Sequence, residues 1–273
     1  MFVVLEIATE NHGGFIGRIF KSAPRAETRM AFGARYGAII SRPASKQSDL
    51  ERILNLAGRY ADRLLLPDCV TPPQVITKPC FTQYDNAVIL KTAIEIIKLS
   101  RMPMYRRTAG LVDLKGGYSG FLYPLLHHYT SVKVLSGNTA LYEDESAKMM
   151  YELGAPVSLI EDYTAFSDCV LVLAPDGIET SESLKCPVLS RKPPSSPQFS
   201  DFITDLRVIP PSGAASEDFP KGIDKHDFLA ALYEYCGVSS VCFPAGRMIF
   251  KYRECEVLEI VSAVNKISGF ISL

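Results

Sequence analysis

The first feature of the chain that could do chemistry is a glycine-rich stretch placed after a short apolar run. Leu111-Val-Asp-Leu leads into Lys115-Gly-Gly-Tyr-Ser-Gly120, and a helical pattern follows from Ser119 to Tyr129. A strand that ends in glycines and opens a helix lets backbone N–H groups approach a phosphate, while the helix dipole favours its negative charge. Gly116, Gly117 and Gly120 stand where that chemistry needs them. The same glycines have a second reading, in which they serve helix–strand packing and hold no ligand. Asp113 and Lys115 flank the turn. An uncompensated carboxylate there would repel an arriving anion, and the ammonium of Lys115 could neutralise either one.

Other constellations are weaker. His127 and His128 are adjacent, so on a helix they point about 100° apart and do not form the i, i+4 pair of a metal site. Cys236 and Cys242 bracket Gly237 with no base in sequence reach, so burial is the expected role of these thiols. Lys98, Arg101, Arg106 and Arg107 form a basic run, read either as cations dressing a helix C-terminus or as partners for a phosphate. Asn11-His-Gly-Gly14 reads as a hairpin turn. No Walker A, GxSxG or HExxH pattern occurs.

The elements that must position the glycine turn alternate. Apolar runs at Leu111–Leu114, Ser131–Leu135, Val157–Ile160 and Cys169–Ala174 are separated by helical patterns at Ser119–Tyr129 and Leu141–Leu153, with a short helix or turn at Asp162–Asp168. Near-continuous apolar strands in such alternation imply a parallel sheet covered on both faces. Before it lie strand-like runs at Phe2–Ala8, Phe15–Phe20, Ala38–Ser41 and Leu64–Leu66. Helical patterns fall at Asp49–Tyr60, with Ser48 as its cap, and at Tyr84–Leu99. Prolines 67, 72, 73 and 79 keep the intervening segment out of regular helix. After it, a proline-crowded stretch leaves one strand, Phe202–Ile209, and two helices, Asp227–Tyr235 and Glu256–Ile267. No internal repeat is evident.

Composition bounds the function. The chain has 273 residues, 47% hydrophobic and 22% charged, with 29 Lys and Arg against 30 Asp and Glu. That balance removes the broad attraction used in sequence-independent nucleic-acid or anionic-membrane binding. No apolar stretch approaches the ~20 residues of a membrane span, and no leader pattern opens the chain. Seven cysteines without a CxxC pair read as reduced thiols of a cytoplasmic protein. The expected partners are a small-molecule ligand and, at most, a second copy of the chain in a homodimer; nucleic acid and membrane are not expected.

Three patches together resemble the NAD(P)-binding Rossmann domain of shikimate dehydrogenase and the nucleotide domain of glutamyl-tRNA reductase. Lys115-Gly-Gly-Tyr-Ser119 resembles the family's AGGAS turn, Ser136-Gly-Asn-Thr139 its NRT motif, and Ala174-Pro-Asp-Gly-Ile178 its ATPxGM turn. The resemblance implies a two-domain α/β protein: a mixed α/β, substrate-type domain over 1–105, and a Rossmann-like doubly wound parallel sheet over 106–273, its C-terminal helix packing back on the first domain. It implies an NAD(P)-linked oxidoreductase with a small metabolite between its domains. Gly116, Gly117 and Gly120 would line the pyrophosphate, Ser136, Asn138 and Thr139 the adenosine ribose, and Ala174, Pro175 and Gly177 the nicotinamide side. The ribose position carries no Asp or Glu, which leans the cofactor from NAD toward NADP. Departures are specific: Leu114 replaces the family's first glycine, Val75 stands where its lysine should be, and its NTDxxG motif is missing. Lys78 and Asp85 are the nearest residues of the type that would move the substrate proton. Two rivals follow from the departures and the fold: a catalytically silent relative acting as a binding or regulatory module, and a flavodoxin-like chain holding a mononucleotide.

Overall fold

The computed structural model describes residues 1–7, 24–41, 47–67, 70, 79–178, 184–193, 201–210, 219–251 and 253–267. In chain order the strands are β1 (Val3–Ile7), β2 (Arg25–Ala31), β3 (Ala34–Ser41), β4 (Leu64–Leu65), β5 (Thr108–Asp113), β6 (Ser131–Ser136), β7 (Val157–Ile160), β8 (Leu171–Leu173), β9 (Val188–Leu189), β10 (Phe202–Val208), β11 (Ala245–Phe250) and β12 (Arg253–Glu256). The helices are α1 (Gln47–Ala57), α2 (Thr82–Leu99), α3 (Leu122–Leu126), α4 (Thr139–Leu153), α5 (Lys225–Cys236) and α6 (Val257–Ile267). They group into two compact units, each built from two segments: 1–84 with 210–242, and 85–209 with 243–273.

In the first unit, Phe2, Val3, Val4 and Leu5 are consecutive, apolar and buried, so β1 needs cover on both faces. It lies inside a sheet of order β2-β3-β1-β4, parallel to β3 and β4. Val3, Leu5, Ile39 and Leu64 cluster with Ile53 and Ala57 of α1. Phe2, Tyr36 and Phe228 of α5 form a second, aromatic cluster with centroids 5.2 to 5.7 Å apart. The pattern did not announce β2, a polar, exposed edge strand antiparallel to β3. An edge needs no apolar alternation, and charge protects it: Arg29 binds Glu6 and Glu27, each at 2.6 Å.

The second unit is an eight-stranded sheet of order β12-β11-β10-β9-β8-β5-β6-β7. From β7 to β10 every pairing is parallel, and β11 and β12 extend it as an antiparallel pair. Counted from β5, the parallel strands run 3-2-1-4-5-6. This is the Rossmann order, and the expected α/β fold is present. Its interior is aliphatic: Ala109, Leu111, Val132, Val134, Leu171 and Val172 are fully buried. α2 is buried along one face through Val88, Ile89, Ala93 and Ile97. It is tied to its surroundings by Thr92, whose Oγ1 accepts from Ala245 N at 2.9 Å, and by Ala93 O, which accepts from the buried Tyr129 hydroxyl at 3.0 Å. Ile260 and Val264 bury one side of α6.

One helix differs from the pattern. Instead of a helix from Ser119 to Tyr129, a 3-10 turn at Ser119–Phe121 precedes the five-residue α3. Pro124 supplies no N–H there, and the chain turns out of helix at His128 and Tyr129, whose N–H groups both converge on Leu125 O. The runs at Phe15–Phe20 and Asn11–Gly14 lie outside the described residues.

Candidate functional site

β5, β8 and β9 are parallel neighbours, so their carboxyl ends open on one edge of the sheet. The chain leaves β5 toward β6 on one side and reaches β8 on the other, which makes the gap beyond β5 and β8 the topological switch point, where ligands of open α/β sheets bind. The glycine turn sits there. Gly116 takes a φ of +76° and its N–H reaches Asp113 O at 3.4 Å. The turn lies against the end of β6: a Cβ on Gly137 would stand 2.5 Å from Leu114 O. Ser136 Oγ donates to Asp113 O at 2.9 Å and accepts from Asn138 N at 3.0 Å. Asn138 caps α4, its side chain accepting from Leu141 N at 3.4 Å. Ser136 and Asn138 therefore sit beside the turn with polar atoms engaged by the chain itself, and Thr139 is exposed at the start of α4.

Asp113 is the centre of this arrangement. It is 1% exposed, and its carboxylate accepts from Gly117 N at 3.0 Å, Tyr118 N at 2.7 Å and the Tyr142 hydroxyl at 2.6 Å. Three donors around a buried carboxylate supply the charge-assisted bonds that keep it tolerable in the interior. Burial, and then the bond to Asp113, push the Tyr142 phenol well above its ordinary value. The carboxylate is thus fully hydrogen-bonded, but its charge is not neutralised by Lys115, whose Nζ lies 3.8 Å from Asp176. It holds two of the turn's backbone donors.

Around the mouth, Ala174 and Pro175 are buried, and Gly177 takes a φ of +97°. Arg191, which follows β9, forms an ion pair with Asp176, donates Nε to Pro175 O at 2.9 Å and reaches the Tyr118 hydroxyl at 3.4 Å. The Asn86 side chain, at the start of α2, also bonds that hydroxyl. Burial first, and then Asp176, raise the Tyr118 phenol. Asn86 Oδ1 is buried with no hydrogen-bond partner. Arg191 escaped the sequence pattern because it stands 73 residues from Tyr118 in a proline-crowded stretch. A signal was present in Val188-Leu-Ser-Arg191, an apolar pair ending in a cation.

Gly117 and Gly120 stand apart from the other described glycines. Neither takes a positive φ, and a Cβ on either would meet nothing within 4 Å. Helix–strand packing therefore does not explain them.

Lys78 lies outside the described residues. Asp85 is half-buried in the first turn of α2 and precedes Asn86. His127 is exposed, its Nδ1 2.8 Å from Tyr123 O and its ring 4.6 Å from that of Tyr123. Cys242 is buried as expected, whereas Cys236 is only half-buried, its Sγ 3.8 Å from Arg35 O. In the basic run, Arg107 Nε donates to Met102 O at 2.9 Å. Among the described residues no group of His, Cys, Asp and Glu could hold a metal ion, and no helix is long and apolar enough to cross a membrane.

No protein-family model matches the chain, and no curated protein matches it. Among solved structures it is similar to Δ1-pyrroline-2-carboxylate reductase of Thermococcus litoralis in complex with NADH and L-proline. The identity is 12% and the TM-score 0.29, over 40% of this chain and 35% of that one. It is also similar to L-tryptophan dehydrogenase of Nostoc punctiforme, at 12% identity and a TM-score of 0.31, over 87% of this chain and 67% of that one. The chain spans about a third of the length of the first. The fold assignment rests on the strand order itself.

Proposed function

We propose that the second unit binds a nicotinamide dinucleotide, NAD or NADP, across the carboxyl ends of β5 and β8, and that the chain is an oxidoreductase-like protein acting on a small metabolite. The observation that carries this reading is the glycine turn at the switch point, with Gly117 and Gly120 bare toward open space. Glycine without a packing or φ requirement is what close approach of a ligand to backbone demands. On this reading Ser136, Asn138 and Thr139 lie toward the adenosine ribose, and Ala174, Pro175 and Gly177 toward the nicotinamide, which would supply the hydride. Lys78 and Asp85 remain the candidates for moving the substrate proton. The fit is not the usual one, because Asp113 already occupies the amides of Gly117 and Tyr118. Fluorescence titration with NADH and NADPH tests the reading: binding below about 1 mM, an ordinary cofactor range, is expected, and no binding at millimolar cofactor sinks it.

Asp113 favours a second reading, a catalytically silent module that binds no dinucleotide. Two like charges about 4 Å apart repel by about 4 kcal/mol at an effective dielectric of about 20, so a diphosphate pressed onto this turn meets a real barrier. Asp113→Asn separates the two. If the carboxylate merely weakens a working site, the variant binds NADH more tightly than the wild type; if the unit holds no dinucleotide, the variant binds none either.

A further inference from the structure

We propose that Arg191 and Lys115 grip the phosphates of the ligand at the switch point, and that Asp176 is the carboxylate that holds both cations until the ligand takes its place. The proposal rests on the dinucleotide reading above and names the residues that replace the turn's backbone donors within it.

The amides of Gly117 and Tyr118 are held by Asp113, and α3 has only five residues, so these two amides and the dipole of α3 supply little positive potential to this turn. The charge has to come from side chains, and two cations converge on the mouth. Arg191 is anchored: its Nε is fixed on Pro175 O, its side chain is 17% exposed, and its terminal nitrogen reaches both Asp176 and the Tyr118 hydroxyl. A guanidinium held in this way presents its fork without further ordering cost and suits phosphate oxygens. Lys115 is 82% exposed and only 3.8 Å from Asp176, so it leaves that partner cheaply.

Two cations share the carboxylate of Asp176, and the one positive charge left over is what offsets the buried Asp113 when an anion arrives. Gly117 and Gly120, in the same turn as Lys115 and Tyr118, leave their Cβ positions open. Beside the cluster, the Asn86 side chain bonds the Tyr118 hydroxyl, and Asn86 Oδ1 is a buried acceptor without a donor. Asp176 then plays a defined part: it is the intramolecular competitor of the phosphate.

Isothermal titration of the full chain with NADH, ADP-ribose and inorganic pyrophosphate tests this, with circular dichroism as the folding check. Arg191→Gln is expected to weaken binding of all three by roughly ten- to a hundred-fold, the range of one charge-assisted hydrogen bond. Lys115→Ala should weaken it by about two- to five-fold, as an exposed ion pair does, and Asp176→Asn should tighten it. Wild-type binding of NADH that neither Arg191→Gln nor Asp176→Asn changes by more than about twofold overturns the proposal and leaves the dinucleotide reading standing. Pyrophosphate binding that depends on Arg191, with NADH and ADP-ribose unbound, supports the anion grip and removes the dinucleotide. Failure of all three probes on wild type and Asp176→Asn overturns both. If Arg191→Gln does not fold, Arg191→Lys, which keeps the charge and loses the fork, and the exposed Lys115→Ala decide the matter by the same signs.

Discussion

The Tyr142 hydroxyl donates to Asp113 Oδ2 at 2.6 Å, joining α4 to the end of β5 across 29 residues of sequence. The bond makes a buried carboxylate part of the scaffold, and it sets the geometry of the glycine turn through the two amides on the same group.

Tyr142→Phe removes one of the three donors and leaves the shape nearly unchanged. A hydrogen bond to a charged group contributes about 1.5–3 kcal/mol, so urea denaturation should show a loss of stability of that order. A loss below about 0.5 kcal/mol would mean that Asp113 is held by the amides alone.

Gly137→Ala tests the close approach of the two turns. The new methyl would lie 2.5 Å from Leu114 O, a backbone atom that no rotamer change can move. The expected cost is about 1–3 kcal/mol, the usual penalty of overpacking, seen as a lowered thermal midpoint by circular dichroism. Gly117→Ala, whose Cβ meets nothing, should leave that midpoint within about 1 °C, since a surface change with no partner lost is nearly neutral.

His128 ties stability to acid. Burial first, then the positive charges of Lys98, His127 and Arg107, hold its imidazole below the usual value. The unfolded chain therefore takes up this proton at a higher pH than the folded one, and stability rises with pH across that interval. The contribution is fully present above pH of about 6.5, the unfolded value, and is lost as pH falls through the lower folded value. Melting curves from pH 8 to pH 5 should steepen on the acid side in the wild type more than in His128→Gln; identical profiles would remove His128 from the effect.

Thiol reactivity should follow burial. Cys80 is exposed, whereas Cys169 and Cys186 are buried; burial pushes the Cys186 thiol up to about 12 and that of Cys169 higher still. Because the thiolate is the reactive form, brief alkylation of the native protein followed by peptide mapping should modify Cys80 and spare Cys169 and Cys186. Early modification of either buried thiol would contradict this packing.

What the sequence determined by itself was the alternation. Near-continuous apolar runs at β5 and β8 are stable as parallel strands buried on both faces, and that requirement is local, so the alternation was legible in Leu111–Ala174, with β6 and the edge strand β7 partly exposed. The glycine turn was legible for the same reason. The edge strands β2 and β12 were not, because exposed strands take their stability from backbone pairing and ion pairs rather than from an apolar pattern; β11, an inner strand that buries Ala245, Met248 and Phe250, was missed because Gly246 and Arg247 interrupt its apolar run. Tertiary structure alone decided that 210–242 belongs with the first unit and 243–273 with the second, and it alone decided the chemistry of the turn. Asp113 read as a charge with Lys115 as its one prospective partner, because Tyr142 becomes its neighbour only when β5 meets α4 and the amides of Gly117 and Tyr118 turn toward it only in the folded turn. Arg191 was unread because a cation gains meaning from what lies within about 4 Å of it, and only the pairing of β8 with β9 brings it to Asp176 and Tyr118.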